Sequence, residues 1–505
     1  MRLARLPVLA VLLASLALAA CAPRPPAATI TPALREEIAA RMRADVEELA
    51  RDERMGRRPG TPGGRGTFPW IEKRMIEVGL ESGTGDPGSS WRQPVDLLAI
   101  APEISRLTLG QGRSRTVVPE SDAVVYTPRR RALAVGGPGT GAPVVFVGYG
   151  DGSVLGDRLA GAVAVMLADP GRDTARREAL FSQNATAVVT VLPDEDALAE
   201  LRRREDVSKL ILAADEQDHL AAYITDRAFA KAVGAKRWQK LKADVGKDGA
   251  NFAPLELNLA LSIDATSERR EFTSQNVIGK LPGTTPSAGA VLVLAHWDHI
   301  GECGAPGEAD RICNGAADNA SGIAMLLELA RRLKAGPQLA RDVYFLATTA
   351  EEPGLLGIRT FIETPPLALD SIVAAFNLDM MAVAPAGSPV GVIGGGRDTA
   401  LDTVIADAVT KSGRRIGDQD LADSFLKRQD GWALSQVGVP TVLMSSTYGS
   451  RAILDPFLAA RYHKPSDEAA AVEYGGAVDD LLLHEAVIRQ IADPARYPAR
   501  GPTGP

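Results

Sequence analysis

The sequence is short of positive charge, of cysteine and of apolar runs, and each shortage excludes something. Lys and Arg together number 56 against 63 Asp and Glu in 505 residues, a formal charge of −7. Such a balance carries no basic stripe for holding phosphates, so no nucleic-acid partner is expected. Beyond residue 20 no apolar segment approaches the roughly 20 residues of a membrane-spanning helix. Of the 3 cysteines, only Cys303 and Cys313 lie in the body of the chain. Between about Val117 and Leu261 no metal-ligand residues group together, and His219 reads as surface decoration on a charged helix. What remains, 45% hydrophobic and 24% charged, is a globular composition with room for two or three cores.

The first 20 residues read as a secretory signal peptide, with Arg2 and Arg5 ahead of the apolar stretch Leu6 to Ala20. It ends in "LAAC", Leu18 to Cys21, which resembles a bacterial lipobox, whose cysteine is lipidated and becomes the mature N-terminus. A plain signal peptide with a chance cysteine, or a short anchor, is the alternative. Ala22 in place of an acidic residue favours, by the same resemblance, an outer-membrane anchor facing the periplasm. In an oxidising envelope compartment a Cys303–Cys313 disulfide is favoured over two free thiols or a pair of zinc-binding thiolates.

Residues 21–35, with "APRPPAATITP", form a Pro-rich tether. Helical spacing follows in "ALREEIAARMRADVEELARDE", then loop chemistry in "GRRPGTPGGRGT", then a second helix in "FPWIEKRMIEVGL". These belong to an N-terminal part of the main domain, residues 36–110. Residues 111–265 read as an inserted, smaller, β-rich α/β unit, with short runs such as "APVVFVGYG" and "ATAVVTVLPD". Residues 266–492 carry the rest of the main domain, and 493–505 read as a disordered tail. In that last part "AVLVLA", "DVYFLATT", "SIVAAFNLD" and "PTVLMSS" are strands, and "SGIAMLLELARRLKAGP" is an amphipathic helix stopped at Gly336-Pro337. Near-continuous apolar strands alternating with such helices imply an α/β fold whose sheet is covered on both faces.

The polar residues fall where these strands end. His296 and Asp298 follow one strand, Glu351 and Glu352 a second, and Asp379 a third. In open α/β sheets ligands gather outside the carboxyl ends of the strands, so these groups converge. Asp318 precedes the helix from Ser321, whose N-terminal dipole favours an anion, and His463 lies in a loop after the "TVLMSS" strand. Singly, each reads as a cap, a turn residue or a satisfied histidine. Together they suit a pair of divalent metals sharing a nucleophilic water, with zinc favoured and cobalt or manganese as substitutes.

The blocks "AHWDHIG", "NGAADNASG", "TAEEPGLLG", "NLDMM", "QDGWALSQVGVPTV" and "YHKPSDE" follow one another between about Asn276 and Glu468. In that order they resemble the di-zinc exopeptidases, which include bacterial secreted aminopeptidases and glutamate carboxypeptidase. "DERMGRRPGTPGG" and "SQNVIGKLPG" are similar too. The resemblance implies a three-layer α/β/α zinc-peptidase domain with a mixed sheet, phosphorylase/hydrolase-like. The middle region resembles the protease-associated domain that many members carry. Carried over by position, His296 and Asp379 would hold one zinc, Glu352 and His463 the other, and Asp318 would bridge both. Glu351 would be the general base, and Asp298, on the same side of a strand as His296, would accept from its second ring nitrogen. Glu351 and Glu352 would divide these jobs by strand alternation.

The implied activity is release of N-terminal residues from peptide substrates. A carboxypeptidase of the glutamate carboxypeptidase type, a glutaminyl-cyclase-like acyl transferase and a non-catalytic lipoprotein scaffold are the alternatives. Ala317 stands where members often have a second Asp. His299 has no assigned role beyond that of a hydrogen-bonding loop residue, and Asp430 falls where an acidic residue often lies near the site. The loop from Gly301 to Asn314 is expected to border the cleft, and Arg359, Arg397, Lys427, Arg428, Arg451 and Arg461 are candidate cations for a substrate carboxylate.

Overall fold

A computed structural model describes residues 30–498, apart from 86–89, 112–113, 154–157, 206–208, 217–218, 249–251 and 306. The signal peptide, Cys21 and most of the tether therefore lie outside the described residues. The chain enters helix α1 (Pro32–Leu49) through Thr31, whose hydroxyl accepts from Leu34 N, with Pro32 in the first turn. The tether expected to reach residue 35 is thus already helical at Pro32. Helix α2 (Pro62–Val78) starts the same way, from Thr61 capping Gly64 N. Its first turn was expected to be loop, because "GTPGGRG" is rich in glycine. The Thr-Pro cap overrides that composition, since proline costs nothing where no intrahelical N–H bond is made.

Two unusually long strands follow, β1 (Arg92–Gln111) and β2 (Ala260–Leu281), paired antiparallel along nearly their whole length with one irregularity at Thr266/Ser267. Next come β3 (Ala290–His296), α3 (Ser321–Ala335), β4 (Asp342–Thr348), β5 (Ile372–Asn377), β6 (Gly391–Ile393), β7 (Thr441–Ser445) and α4 (Tyr474–Ile491). They form the mixed sheet β6-β7-β5-β3-β4-β2-β1, with β7, β5, β3 and β4 parallel and the flanking pairs antiparallel.

Strand alternation makes the layers. Val291, Val293 and Ala295 of β3 pack into a core with α1, α2, α3 and α4. Leu292 and Leu294, pointing the other way, pack with Ile358, Phe361 and Leu434 of the helices Leu356–Glu363 and Asp430–Gln436. Both faces are therefore covered and the fold is three-layered. Truncating Leu292, fully buried, to alanine would cost about 2–5 kcal/mol. Helix α3 is more enclosed than its amphipathic pattern suggests: even Glu328 is buried, its carboxylate gripped by Arg41 at 2.8 and 2.6 Å.

A second sheet of six strands lies wholly within residues 123–256. Its order is Leu255–Glu256, Val144–Gly148, Val163–Leu167, Ala187–Leu192, Ala221–Thr225 and Ala123–Tyr126; the middle four are parallel and both edges antiparallel. The far half of the β1–β2 ribbon shares its core, through Leu107, Leu109, Leu261 and Ile263. The core of the inserted unit thus takes in Leu107 and Leu109, ahead of the boundary expected at 111, whereas Leu261 and Ile263 lie within the one expected at 265. The unit also returns to the main sheet: Lys209–Leu212 pairs with β1, and Leu210 and Leu212 pack against Ala350 and Leu356. His219 is not helical; its ring stacks on Phe181 at 3.8 Å. Tyr497, inside the segment expected as a tail, is buried in the main core, and residues 499–505 lie outside the described residues.

Candidate metal centre

The parallel strands β3, β4 and β5 end on one side of the sheet, and that register brings distant residues together. His296 is the last residue of β3. Its Nε2 lies 3.3 Å from Asp318 Oδ1 and 3.5 Å from Asp379 Oδ1, two residues past β5. Asp318 comes from the irregular turn Ala316–Ala320 that leads into α3. Its other oxygen lies 3.4 Å from His463 Nε2, and that nitrogen is 3.1 Å from Glu352 Oε2. The Asp318 carboxylate is thus set between two imidazoles, one oxygen toward each.

Glu351 and Glu352 are not on the strand. β4 stops at Thr348, and Ala350 takes a positive φ of 51°. The carbonyl of Glu351 then accepts from Gly354 N at 2.9 Å and Leu355 N at 2.7 Å. A tight turn, rather than strand alternation, separates the two carboxylates. Glu351 still faces the cluster, with a carboxylate oxygen within 4.8 Å of ligand atoms of His296 and Glu352.

Asp298 also differs from expectation. Its carboxylate stands 3.9 Å from His296 Nδ1, whereas its own backbone carbonyl stands at 3.2 Å. The chain has left the strand by this point, so the carbonyl meets the ring and Asp298 Oδ1 accepts instead from Glu351 N at 3.1 Å.

The electrostatics are those of a buried anionic cluster. Burial works to raise the Asp318 carboxyl, but the imidazoles of His296 and His463 on either side hold it well below the usual range. Burial likewise opposes ionisation of Glu352, and the His463 charge overcomes this, bringing it to about 2. His463 itself is drawn up to about 11 by Glu352 and Asp318 against its burial. Glu351 goes the other way: burial pushes it well above the ordinary value, and Glu352 and Asp430 add to the effect. Burial raises Asp298 to about 7 and Asp430 to about 6.

These residues fit divalent cations. Zinc binds nitrogen and oxygen ligands at about 2.0–2.2 Å in tetrahedral sites, which places neighbouring ligand atoms roughly 3.3–3.6 Å apart. The four separations, from His296 to Asp318 and Asp379 and from His463 to Asp318 and Glu352, lie between 3.1 and 3.5 Å. His463 Nε2 makes no hydrogen bond despite its two carboxylate neighbours, as a lone pair kept for a metal requires. Among the described residues no thiolate competes for a metal: Cys303 and Cys313 form the favoured disulfide, closing the short hairpin of Gly301–Glu302 with Ile312–Cys313.

Residues 276–481 match the description Peptidase family M28. The chain is 30% identical over 164 residues to a probable lipoprotein aminopeptidase, LpqL, of Mycobacterium tuberculosis, a stretch covering 32% of this chain and 31% of that protein. It is 36% identical over 123 residues to aminopeptidase YwaD of Bacillus subtilis, covering 23% and 25%. The matches thus span about a third or less of the length of these curated relatives. Among solved structures, an aminopeptidase from Aneurinibacillus sp. strain AM-1 shares the fold, with a TM-score of 0.59 over 92% of this chain and 96% of that one at 18% identity. The likeness to peptidase family M28 thus lies in residues 276–481, which carry the whole cluster from His296 to His463.

Two residues at this centre, Asp467 and Arg57, were not picked out from the sequence. Asp467, buried, accepts from Ala317 N and Asp318 N at 3.1 Å, and so fixes the turn that carries the central carboxylate. Arg57, fully buried, donates to the carbonyls of Trp297, Leu49, Asn314 and Gly315, tying together the segments around Asp298 and Asp318. Both sit inside blocks already quoted for the resemblance, but their partners are backbone groups that only the fold supplies. His299, expected as a hydrogen-bonding loop residue, is one: its Nδ1 lies 2.6 Å from Glu352 Oε1.

The other candidates separate. Asp430 is buried and accepts from Thr348 Oγ1 at the end of β4. Arg359 pairs with Asp215 of the inserted unit at 2.7 Å, Arg451 approaches Asp418 at 3.8 Å, and Arg397 and Lys427 lie over Trp432. Arg461 pairs with Asp467 at 3.3 Å. Arg428 reaches Tyr462 Oη at 3.3 Å, and the Tyr462 ring stacks on His463 at 3.8 Å. The hairpin of Gly301–Glu302 packs on the turn before α2, where a Cβ on Gly56 would meet the Cys313 carbonyl at 2.4 Å.

Proposed function

We propose that this protein is a zinc-dependent exopeptidase, an aminopeptidase that removes N-terminal residues from peptides in a bacterial cell envelope. The observation that carries the reading is the Asp318 carboxylate between His296 and His463, at 3.3 and 3.4 Å. His296 and Asp379 would hold one zinc, Glu352 and His463 the second, and Asp318 both. When bound, the two ions would supply Lewis-acid polarisation of the scissile carbonyl and a more acidic water.

The chain's own part is proton traffic and positioning. Glu351, its carboxyl raised by burial, takes the proton of the attacking water and returns it to the leaving amine. Asp298 holds the amide of Glu351 through a 3.1 Å bond, and so orients the base without touching the reacting atoms. Asp467 and Arg57 keep the Asp318 turn in register with β3. The relatives named for aminopeptidase activity support the choice of peptide end.

Export on the leader Leu6–Ala20 and lipid attachment at Cys21 belong to the same reading, supported by a relative named as a lipoprotein. Outer-membrane placement facing the periplasm rests on Ala22 alone. The six-stranded unit of residues 123–256 is read as protease-associated in type.

The test is a panel of peptides with free, acylated and C-terminally amidated ends, analysed for which end is shortened. Cleavage should need a free N-terminus, stop on chelation and return with zinc. Shortening of N-acylated peptides from their C-termini would make the enzyme a carboxypeptidase instead. Zinc uptake without any hydrolysis would point to the scaffold or acyl-transferase alternatives.

A further inference from the structure

His299 lies against Glu352, and nothing in the mechanism above uses it. Its side chain is fully buried, with Nδ1 2.6 Å from Glu352 Oε1. Its ring meets that of His463 edge-on, centroids 5.5 Å apart. Its Nε2 is buried and has no hydrogen-bond partner. The place for the ring is made by a missing side chain: a Cβ on Gly315, which has φ +58°, would come within 2.5 Å of His299 Cγ and Cδ2. The next carbonyl, of Ile300, accepts from Arg58 Nη1 at 3.2 Å. Steric confinement and one short polar contact therefore fix both the ring and what it touches.

A glutamate has two equivalent oxygens and a soft terminal torsion, so by itself it does not choose which oxygen to present. A short bond from a ring nitrogen to one oxygen makes that choice, and charge assistance strengthens it. At this centre Oε1 is engaged by His299, and Oε2 faces His463 Nε2 at 3.1 Å. We propose that His299 is a positioning residue for Glu352, setting its Oε2 toward the second metal position while taking no metal itself. The inference rests on the zinc-exopeptidase reading and adds a residue to it. Partners of metal ligands usually contribute about 10- to 100-fold in metal affinity.

The experiment is a calorimetric zinc titration of chelator-stripped full-length protein, comparing wild type with His299→Ala, His299→Asn and His299→Gln. Circular dichroism and Tm of the metal-free proteins check folding. His299→Ala should bind the first ion as wild type does and the second about 10- to 100-fold more weakly. Asn places an amide near the position of Nδ1 and should recover most of the loss; Gln places it near Nε2 and should not. A merely structural role would weaken both ions together and would not distinguish Asn from Gln. The proposal is overturned if His299→Ala binds both ions with wild-type affinity, or if Gln rather than Asn rescues, which would make Nε2 a ligand. Should His299→Ala fail to fold, the Asn and Gln variants decide on the same terms. Wild-type protein that takes up no zinc would defeat the underlying reading and this inference together, whereas normal zinc uptake with an unaffected variant defeats the inference alone.

Discussion

The two sheets of this protein are built alike, yet only one of them gathers chemistry. Each has a parallel centre of apolar strands, and each places acids just past the strand ends. In the inserted unit these are Asp169, Asp194 and Asp226, following Val163–Leu167, Ala187–Leu192 and Ala221–Thr225. Each is satisfied close by: Asp169 by Arg172 at 3.4 Å, Asp194 by Ala197 N at 2.8 Å, and Asp226 by Trp238 Nε1 and Lys242 Nζ, both at 2.7 Å. In the main sheet Glu351 and Asp379 are buried and Glu352 is mostly so; they face one another across strands and share two histidines with Asp318. An acid at a strand end is therefore not a site. Acids become one when they converge from distant segments with too few cations to match them.

The sharpest way to break this comparison is inside the glutamate pair. Glu351→Gln should keep zinc and lose turnover by about 10³-fold, within the range for removing a general base. Glu352→Gln should lose turnover through metal, and excess zinc should recover part of it. Zinc content by mass spectrometry beside kcat separates the two. Equal zinc loss in both variants would show that convergence alone, and not a division of labour, explains the pair.

The strands of the main sheet and their polar ends were legible in the sequence because burial on both faces writes itself as unbroken apolar runs. The convergence of His296, Glu351 and Asp379 followed from that. What was not legible depends on backbone geometry that side-chain patterns do not encode. The positive φ of Ala350 turns the glutamates off the strand, and the departure of the chain after His296 gives its ring a carbonyl in place of the Asp298 carboxylate. Asp467 and Arg57 bind backbone groups, so no complementary residue in the sequence announces them. Tyr497 carries no sign of burial in a Pro- and Gly-rich tail; only the packing of the end of α4 gives it a place.

A buried histidine away from the metal centre tests the same rule on stability. His484 of α4 is fully buried, its Nδ1 2.8 Å from the Asp480 carbonyl, and it meets Phe376 edge-on. Burial lowers it from 6.5 to about 4. A depressed pKa contributes stability that is present above 6.5 and is lost as pH falls through about 4, because the unfolded chain takes the proton first. The size is about 3 kcal/mol at full effect. Asp480, raised by burial to about 6, acts in the opposite sense, its contribution being lost as pH rises through that value, but it is common to both proteins compared. Urea unfolding from pH 7 to 4 should therefore show the gap between wild type and His484→Gln narrowing by about 3 kcal/mol. A gap constant with pH would mean that this imidazole is not held neutral by burial.

The smallest expected effect falls in the inserted unit and serves as the control for the first comparison. Asp194 follows an apolar strand just as Glu351 and Asp379 do, but its carboxylate caps the helix Glu195–Glu205 through the 2.8 Å bond from Ala197 N. Asp194→Ala should remove that cap at a cost of about 1 kcal/mol. This corresponds to a fall of roughly 2–4 °C in the transition of a unit of this size. Zinc stoichiometry and kcat should not move, because the carboxylate answers one local amide and no distant group. Calorimetry and the peptide assay on the same preparation check both halves. A loss of turnover without a loss of stability would mean that strand ends in the inserted unit reach the metal centre after all. The route would then be the segment Lys209–Leu212, whose Leu210 and Leu212 pack against Ala350, next to Glu351 and Glu352.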